Sequence, residues 1–173
     1  MKAVVVYESH WGNTAAIARA IASGLGPDTP VLATDEASGS VLADADLIVA
    51  GAPVIAFRLA TDSMRGRIAE DADGPGKPDL AHPSMRDWLE QIPARKGLAA
   101  AFETRFHWSP GGATGAIERG LQAAGYRRVA KGRKFFVTGS HGPLRDGEIE
   151  AARAWGSELA QALQSTSGVA LAP

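Results

Sequence analysis

The sequence predicts an α/β protein in which helices cover both faces of a parallel β-sheet. Apolar runs of strand length alternate along the chain with amphipathic segments that repeat at helical spacing. The runs are apolar throughout instead of at every second residue, which is typical of strands that are covered on both faces. Alternation of such strands with helices is the pattern of a parallel sheet between two helical layers.

The first strand is predicted at residues 2–7, and a helix follows it with Asn13 as N-cap and Ile17, Ile21 and Leu25 on one face. The later elements follow from the same two signals. We predict strands at 30–33, 46–51, 98–102 and 134–138, a short helix or turn at 41–45, a helix through Ile117, Leu121 and Ala124, and a last helix through Ala152, Trp155, Leu159 and Leu163.

Two stretches interrupt this alternation. Residues 58–93, the excursion, follow the third strand, with DADGPGKPD as an exposed loop and HPSMRDWLEQI as a short helix. Loops of this length are uncommon unless they are functional or disordered. One role for the excursion is a lid over a binding site. Residues 165–173 are predicted to be a flexible tail, which leaves a single domain at residues 1–164.

Composition excludes several classes of protein. The net charge is −1 and the basic residues are scattered, so we expect no nucleic-acid partner. The absence of cysteine excludes disulfides, thiolate catalysis and thiolate-bound metals. The apolar runs are shorter than the roughly 20 residues that span a bilayer, and the first is too short for a signal peptide. We therefore predict a cytoplasmic chain with no membrane insertion, and its oligomeric state is left open.

The loop ESHWGNT, residues 8–14, joins the first strand to the first helix. In an open parallel sheet, ligands bind beyond the carboxyl ends of the strands. Ser9 and Thr14 supply hydroxyls, Gly12 allows close backbone approach, and the helix presents free amides, so the loop suits a phosphate without Lys or Arg. A well-capped helix with no ligand explains the same residues. The sequence contains no P-loop and no dinucleotide fingerprint after a strand.

Four segments in order carry a family resemblance: ESHWGNT, GAPVIAF, FETRFHW and TGSHGPLRDGE, which follow the first, third, fourth and fifth predicted strands. With them the chain resembles the flavodoxin family, particularly bacterial single-domain flavodoxin-like proteins. The resemblance implies a three-layer sandwich with a five-stranded parallel sheet of order 2-1-3-4-5. It also implies FMN at the point where the strand order reverses.

The resemblance assigns cofactor-binding residues by position. The phosphate would lie among Ser9, His10, Trp11, Gly12, Asn13 and Thr14, the ribityl chain and ring beside Pro53, Val54 and Ile55, and the polar edge of the ring beside Glu103, Thr104, Arg105 and Phe106. Two positions depart from the family. Trp11 stands where Ser or Thr is usual, and the tyrosine that often stacks on the flavin is missing. Phe106, Trp108 or Phe57 can stand in for that tyrosine.

Two further features bear on the chemistry of the site. Arg105 beside the ring would raise the flavin potential, whereas as a solvent-facing partner of Glu103 it would not. His10, His107 and His141 each follow a strand by a few residues, so they can serve as proton donors, bind a metal such as zinc, or have no shared task. We assign no metal site.

Three functions follow from this reading. The first is an FMN-binding protein that transfers electrons through its flavin to a redox partner protein. The second is an FMN-dependent oxidoreductase that acts on a quinone or a similar flat acceptor, because a nearly neutral chain gives little electrostatic steering toward a partner. The third is an interaction module that has lost its cofactor, which only Trp11 favours. The residues do not distinguish FMN from a related deazaflavin.

Overall fold

A computed structural model of the chain describes residues 2–71 and 73–169. Strands and helices alternate as the sequence predicts. In chain order the elements are β1 (Ala3–Tyr7), α1 (Asn13–Leu25), β2 (Val31–Ala33), α2 (Gly39–Ala43), β3 (Leu47–Ile55), β4 (Arg58–Leu59), α3 (Asp62–Ala69), α4 (Met85–Gln91), β5 (Gly97–Arg105), α5 (Thr114–Ala123), β6 (Tyr126–Arg128), β7 (Arg133–Phe136) and α6 (Glu148–Val169).

The sheet confirms the predicted fold class. Strands β2, β1, β3 and β5 are parallel neighbours in that order. The fifth place is shared by β6, which pairs with residues 97–99 of β5, and β7, which pairs with residues 102–105. β4 adds a short antiparallel hairpin to the end of β3. If the five main strands are numbered in chain order without the short β4, the order along the sheet is the predicted 2-1-3-4-5. The fifth strand is divided into β6 and β7.

The core lies on both faces of the sheet because successive strand residues point in opposite directions. In β1, Val4 and Val6 belong to a cluster with α4 and α5, whereas Val5 packs with α1 and α6 on the other face. Trp88 is the largest side chain of the first cluster and Trp155 of the second. These two clusters explain why the central strands read as continuous apolar runs.

Helix α6 extends into the predicted tail. Its backbone is helical to Val169, so residues 165–169 continue the helix, and residues 170–173 lie outside the described part of the chain. Within the described residues, none of the helices combines the length and the apolar character needed to cross a membrane.

Glycines allow α1 and α6 to touch. A Cβ on Gly156 would lie 2.2 Å from the carbonyl oxygen of Ile21, and a Cβ on Gly24 would lie 2.0 Å from that of Arg153. Both neighbours are backbone atoms, so a methyl group forces the helices apart.

We expect Gly156→Ala to lower the free energy of unfolding, measured by urea denaturation, by about 1–3 kcal/mol, as overpacking does. Gly66→Ala in α3, where nothing lies within 4 Å, should instead be neutral or stabilising by up to ~1 kcal/mol. Equal stability of Gly156→Ala and wild type would contradict this helix contact.

Candidate functional site

The loop between β1 and α1 presents the open end of a helix. Gly12 occupies the N-cap position with φ 86°, a left-handed conformation that glycine adopts without strain. The predicted cap, Asn13, is therefore wrong: it is the first helical residue, and its Nδ2 donates 3.0 Å to the carbonyl oxygen of His141. Since Gly12 has no side chain to cap the helix, the first amides of α1 are left for another acceptor.

Buried polar atoms without a partner surround this helix end. Ser9 is 9% exposed and His10 is 3% exposed, yet the Ser9 Oγ and the His10 Nδ1 have no hydrogen-bond partner. The buried hydroxyls of Thr14 and Thr104 lie 2.7 Å apart and bond to each other, which uses only one of their two protons. An unsatisfied buried polar group costs about 1–3 kcal/mol. The Ser9 hydroxyl and the free proton of the threonine pair are therefore donors that an anion would satisfy.

Glu8 is the charged centre of the loop, and it is 3% exposed. Its Oε1 accepts from Arg65 and lies 2.9 Å from His10 Nε2, and its Oε2 accepts from the backbone amide of Met85 at 2.9 Å. Burial by itself raises the pKa of Glu8, but the hydrogen bonds from His10 and Met85 and the charge of Arg65 together hold that pKa below its usual value. Glu8 is thus an ionised, fully paired carboxylate.

The excursion packs directly on this loop. Arg65 in α3 also donates to the carbonyl oxygen of His82 at 2.6 Å, and the amide of Asp79 donates to the carbonyl oxygen of His10 at 2.8 Å. The indole of Trp11 lies over Gly74, where a Cβ would be 2.2 Å from the ring. The sequence predicted an excursion but not these contacts, because α3 has no buried residue and therefore no apolar face to recognise.

A cavity of about 50 Å³, the inner cavity, lies at the carboxyl ends of β1, β3 and β5. It brings together the predicted cofactor-binding residues except Gly12 and Glu103: Ser9, His10, Trp11, Asn13, Thr14, Pro53, Val54, Ile55, Thr104, Arg105 and Phe106. Val137 and Ser140 also line it, and sequence reasoning missed them. The segment TGSHGPLRDGE pointed to their neighbourhood, but it supplied no rule for choosing single residues.

Glu103 and Arg105 belong to β5 and not to a loop, because β3 and β5 run three to four residues further than predicted. Glu103 is fully buried behind the cavity wall, where it accepts from the amides of Ala113 and Thr114 at 2.6 and 2.8 Å. Its Oε1 also accepts from Arg105 Nη1 at 2.8 Å. Arg105 is 5% exposed, so the predicted solvent-facing position of this residue is wrong. It does pair with Glu103, but the pair is buried, and the carboxylate neutralises the charge of the guanidinium.

Aromatic side chains lie in the two loops that continue from the cavity-lining residues Ile55 and Phe106. The turn from β3 to β4 places Ala56 and Phe57 at φ 43° and 71°, the conformation of a tight two-residue hairpin, and leaves Phe57 49% exposed. On the next loop Phe106 and Trp108 stack with ring centroids 5.3 Å apart, and Trp108 is 62% exposed. These two loops, residues 56–57 and 106–108, are called the rim, and they present two large apolar side chains to solvent.

The three histidines have separate surroundings. His10 is paired with Glu8, His141 Nε2 lies 2.8 Å from Asp71 Oδ2, and His107 is exposed. The hydrogen bond from His141 and the amide of Asp73 lower the pKa of Asp71. Among residues 2–71 and 73–169, no group of three or more metal-binding side chains is present.

Solved flavodoxin structures superpose on nearly the whole chain. A flavodoxin from the domain Archaea is 20% identical, with a TM-score of 0.64 over 95% of this chain and 99% of that chain. Oxidised flavodoxin 1 from Bacillus cereus is also 20% identical, with a TM-score of 0.62 over 93% of this chain and 98% of that chain. The chain has the flavodoxin-like fold. This result confirms the resemblance at the level of fold.

Larger proteins contain the same flavodoxin-like fold. A metal-soaked flavodiiron core from Synechocystis is 17% identical with a TM-score of 0.62, and it matches 96% of this chain but only 36% of its own length. No protein-family model and no curated protein matches the sequence.

The Glu8 network predicts a specific pH dependence of stability. A carboxyl with a lowered folded pKa contributes stability that is full above its unfolded value of 4.5 and is lost as pH falls through the folded value. We expect Glu8→Gln to lower the free energy of unfolding by about 3–5 kcal/mol at pH 7, since Arg65 loses its charged partner. The variant should also show a smaller decline in the free energy of unfolding between pH 5 and 3. Urea denaturation across this range measures both effects.

Glu90→Gln, an exposed carboxylate in α4, is the matched control and should follow the wild-type profile. A Glu8→Gln profile parallel to that of wild type would show that the carboxylate does not hold the excursion.

Proposed function

We propose that this chain binds FMN through its phosphate and transfers electrons through the bound flavin. The observation that carries the proposal is the unpartnered, buried Ser9 Oγ beside the uncapped start of α1, at the cavity where the family-matched residues converge. A buried hydroxyl without a partner is rare in a folded protein unless a ligand or water satisfies it. The flavodoxin structures described above support a flavin as that ligand.

The phosphate is held in this proposal by uncharged donors. Ser9 and the Thr14–Thr104 pair supply hydroxyl protons, and the first amides of α1 supply the helix end. Each hydrogen bond to a charged oxygen is worth roughly 1.5–3 kcal/mol, and the helix end adds up to ~2 kcal/mol. The negative charge of Glu8 does not oppose this binding, because Arg65 and His10 already pair with it.

The ring of the flavin lies at the rim in this proposal. A cavity of about 50 Å³ suits a phosphate, whereas pockets that enclose a drug-sized ligand measure roughly 300–1,000 Å³. The ring therefore enters between the hairpin that carries Phe57 and the loop that carries Phe106 and Trp108, and it displaces side chains that are already partly in water. Bound FMN would supply the redox chemistry, and the protein holds and shields it. Because Glu103 neutralises Arg105, we expect only a small effect of Arg105 on the flavin potential.

A second candidate function is oxidoreduction of a flat acceptor such as a quinone. The exposed side chains of Phe57 and Trp108 favour it, because apolar surface at the rim is where a flat ring stacks beside the flavin. A redox partner protein would dock on the same rim, with little long-range guidance from a net charge of −1.

Flavin binding is tested by titrating the purified protein with FMN and following flavin fluorescence and the visible absorption spectrum. We expect saturable binding by wild type, and about 10–150-fold weaker binding by Ser9→Ala, as the loss of one charge-assisted hydrogen bond gives. Ser63→Ala, at an exposed position in α3, is the control and should bind as wild type does. Wild-type protein that never binds FMN would overturn the proposal and leave the cofactor-free interaction module.

The two redox functions are separated by steady-state kinetics of the FMN-loaded protein with NADPH and a quinone. If the quinone stacks at the rim, Phe57→Ala and Trp108→Ala should raise the KM for quinone about 5–30-fold, since loss of an aromatic stacking contact and its buried area costs roughly 1–2 kcal/mol. Val41→Ala removes an exposed apolar side chain elsewhere, and the KM should stay unchanged. No turnover of quinone, together with reduction of the flavin by a reductase protein, would leave the carrier function.

A further inference from the structure

The small net charge conceals a separation of charge along the chain. From Arg119 to Arg145 the sequence contains seven Lys or Arg residues and neither Asp nor Glu. Because the whole chain has a net charge of −1, the other residues together carry −8. Five of the seven cations lie within residues 127–134, the segment that forms β6, the link after it and the start of β7. This concentration is the exception to the scatter of basic residues along the rest of the chain.

The fold places these five cations at one edge of the sheet. β6 and β7 share the last place in the strand order, and no described strand pairs with their outer side. The five residues, which we call the basic edge, are all exposed: Arg127, Arg128, Lys131, Arg133 and Lys134. In the described part of the chain, Arg128 alone among them forms an ion pair, at 3.0 Å from Glu118 in α5.

The opposite edge of the sheet carries the opposite charge. β2 is the first strand in the order, and Asp28, Asp35 and Glu36 flank it at exposed positions. The sequence from residue 20 to residue 57 contains neither Lys nor Arg. Neighbouring strands lie about 4.8 Å apart, so roughly 19 Å separates the two edges. The molecule therefore has an electric dipole across the sheet, and its field orients an approaching charged surface although the net charge is small.

The basic edge adjoins the candidate site. β7 pairs with residues 102–105 of β5, which include the cavity-lining residues Thr104 and Arg105. Val137 follows β7 directly, lines the inner cavity, and donates from its amide to the carbonyl oxygen of Arg105 at 2.9 Å. Residues 106–108 of the rim come directly after β5. The cations of β7 and the apolar side chains of the rim therefore belong to neighbouring segments of the surface.

The aromatic side chains of this edge do not favour a nucleic acid. Tyr126 and Phe135 are buried, and the guanidinium carbon of Arg145 lies over the ring of Phe136 at 5.6 Å from its centroid. Proteins that bind single strands combine cations with aromatic rings on which the bases stack. A protein surface rich in carboxylates needs only the cations. Such an interface also has an apolar centre and a polar periphery, which the rim and the basic edge together supply.

We propose that the basic edge docks a redox partner protein through a carboxylate-rich surface of that partner. The proposal rests on the proposed function and deepens it, because it names the kind of protein whose oxidation or reduction accompanies the opposite change in the flavin. Carboxylates of the partner pair with Lys131, Arg133 and Lys134, and its apolar surface covers Phe57 and Trp108 at the rim. The dipole directs the partner to this edge and away from β2.

Docking is tested by fluorescence anisotropy with labelled poly-L-glutamate as the carboxylate-rich probe. We expect wild type to bind the probe, with an affinity that falls as salt rises from about 20 to about 200 mM. The double variant Arg133→Gln/Lys134→Gln should bind about 3–15-fold more weakly at low salt. The control Arg67→Gln/Arg153→Gln removes the same charge from exposed positions in α3 and α6, and it should change binding less than about 2-fold.

Electron exchange is tested by oxidising the reduced, FMN-loaded protein with ferricyanide, a trianion, or with hexaammineruthenium(III), a trication. Each complex accepts one electron from the reduced flavin. We expect the ferricyanide rate to fall as salt rises, and to be about 2–10-fold lower in Arg133→Gln/Lys134→Gln at low salt. The rate with the trication should fall in neither case. Both double variants should bind FMN as wild type does, since none of the four residues lines the inner cavity.

Three outcomes overturn the docking surface and leave the proposed function intact. The first is equal binding of poly-L-glutamate by wild type and Arg133→Gln/Lys134→Gln. The second is self-association of that variant in light scattering with unchanged probe binding, because the cations would then only keep the edge strands from pairing with another chain. The third is tighter binding of oligouridylate than of poly-L-glutamate, which would assign the edge to a nucleic acid.

Two further outcomes concern the flavin. If the probe binds at the edge but the ferricyanide rate does not depend on Arg133 and Lys134, the assignment to a redox partner is overturned. Failure of wild type to bind FMN removes the proposed function and the electron exchange with it, whereas the poly-L-glutamate titration still decides whether the edge docks a carboxylate-rich surface.

Discussion

The buried carboxylate of Glu8 holds the excursion against the loop that begins α1. An ionised carboxylate that is 3% exposed is tolerable only when charges and hydrogen bonds compensate it, and here Arg65 and the amide of Met85 come from the excursion itself. In the folded protein, the excursion therefore supplies two of the partners that stabilise the ionised carboxylate. Ser9 follows Glu8 directly in the chain, so the same network holds the backbone of the loop that carries the Ser9 hydroxyl.

The predictable part of the fold is the part whose burial leaves a pattern in the sequence. β1 and β3 are buried on both faces and were identified by continuous apolar runs, whereas α1 and α6 were identified by apolar residues at helical spacing. β6 was missed because two of its three residues are exposed cations on an edge strand, and α3 was missed because it buries nothing. The predicted end of β5, at residue 102, is three residues too early, because charged residues such as Glu103 and Arg105 are typical of loops. In the structure the two side chains pair, and each makes the burial of the other possible.

The candidate site divides in the same way. Residues that lie together in the chain, such as those of ESHWGNT, were identified by matching a motif, and the structure brings most of them to one cavity. Glu8 and Arg65 are 57 positions apart, and no spacing rule connects a carboxylate to a guanidinium across that distance.

Trp11 is held in place by contacts with two other segments of the chain. The outer edge of its indole packs on Gly74, and the ring meets His141 edge-on with centroids 4.5 Å apart. Moving it would break these contacts, so Trp11 is a fixed part of the wall of the inner cavity. The large residue at position 11 therefore does not fill the inner cavity, because a glycine in the excursion provides the space for its ring.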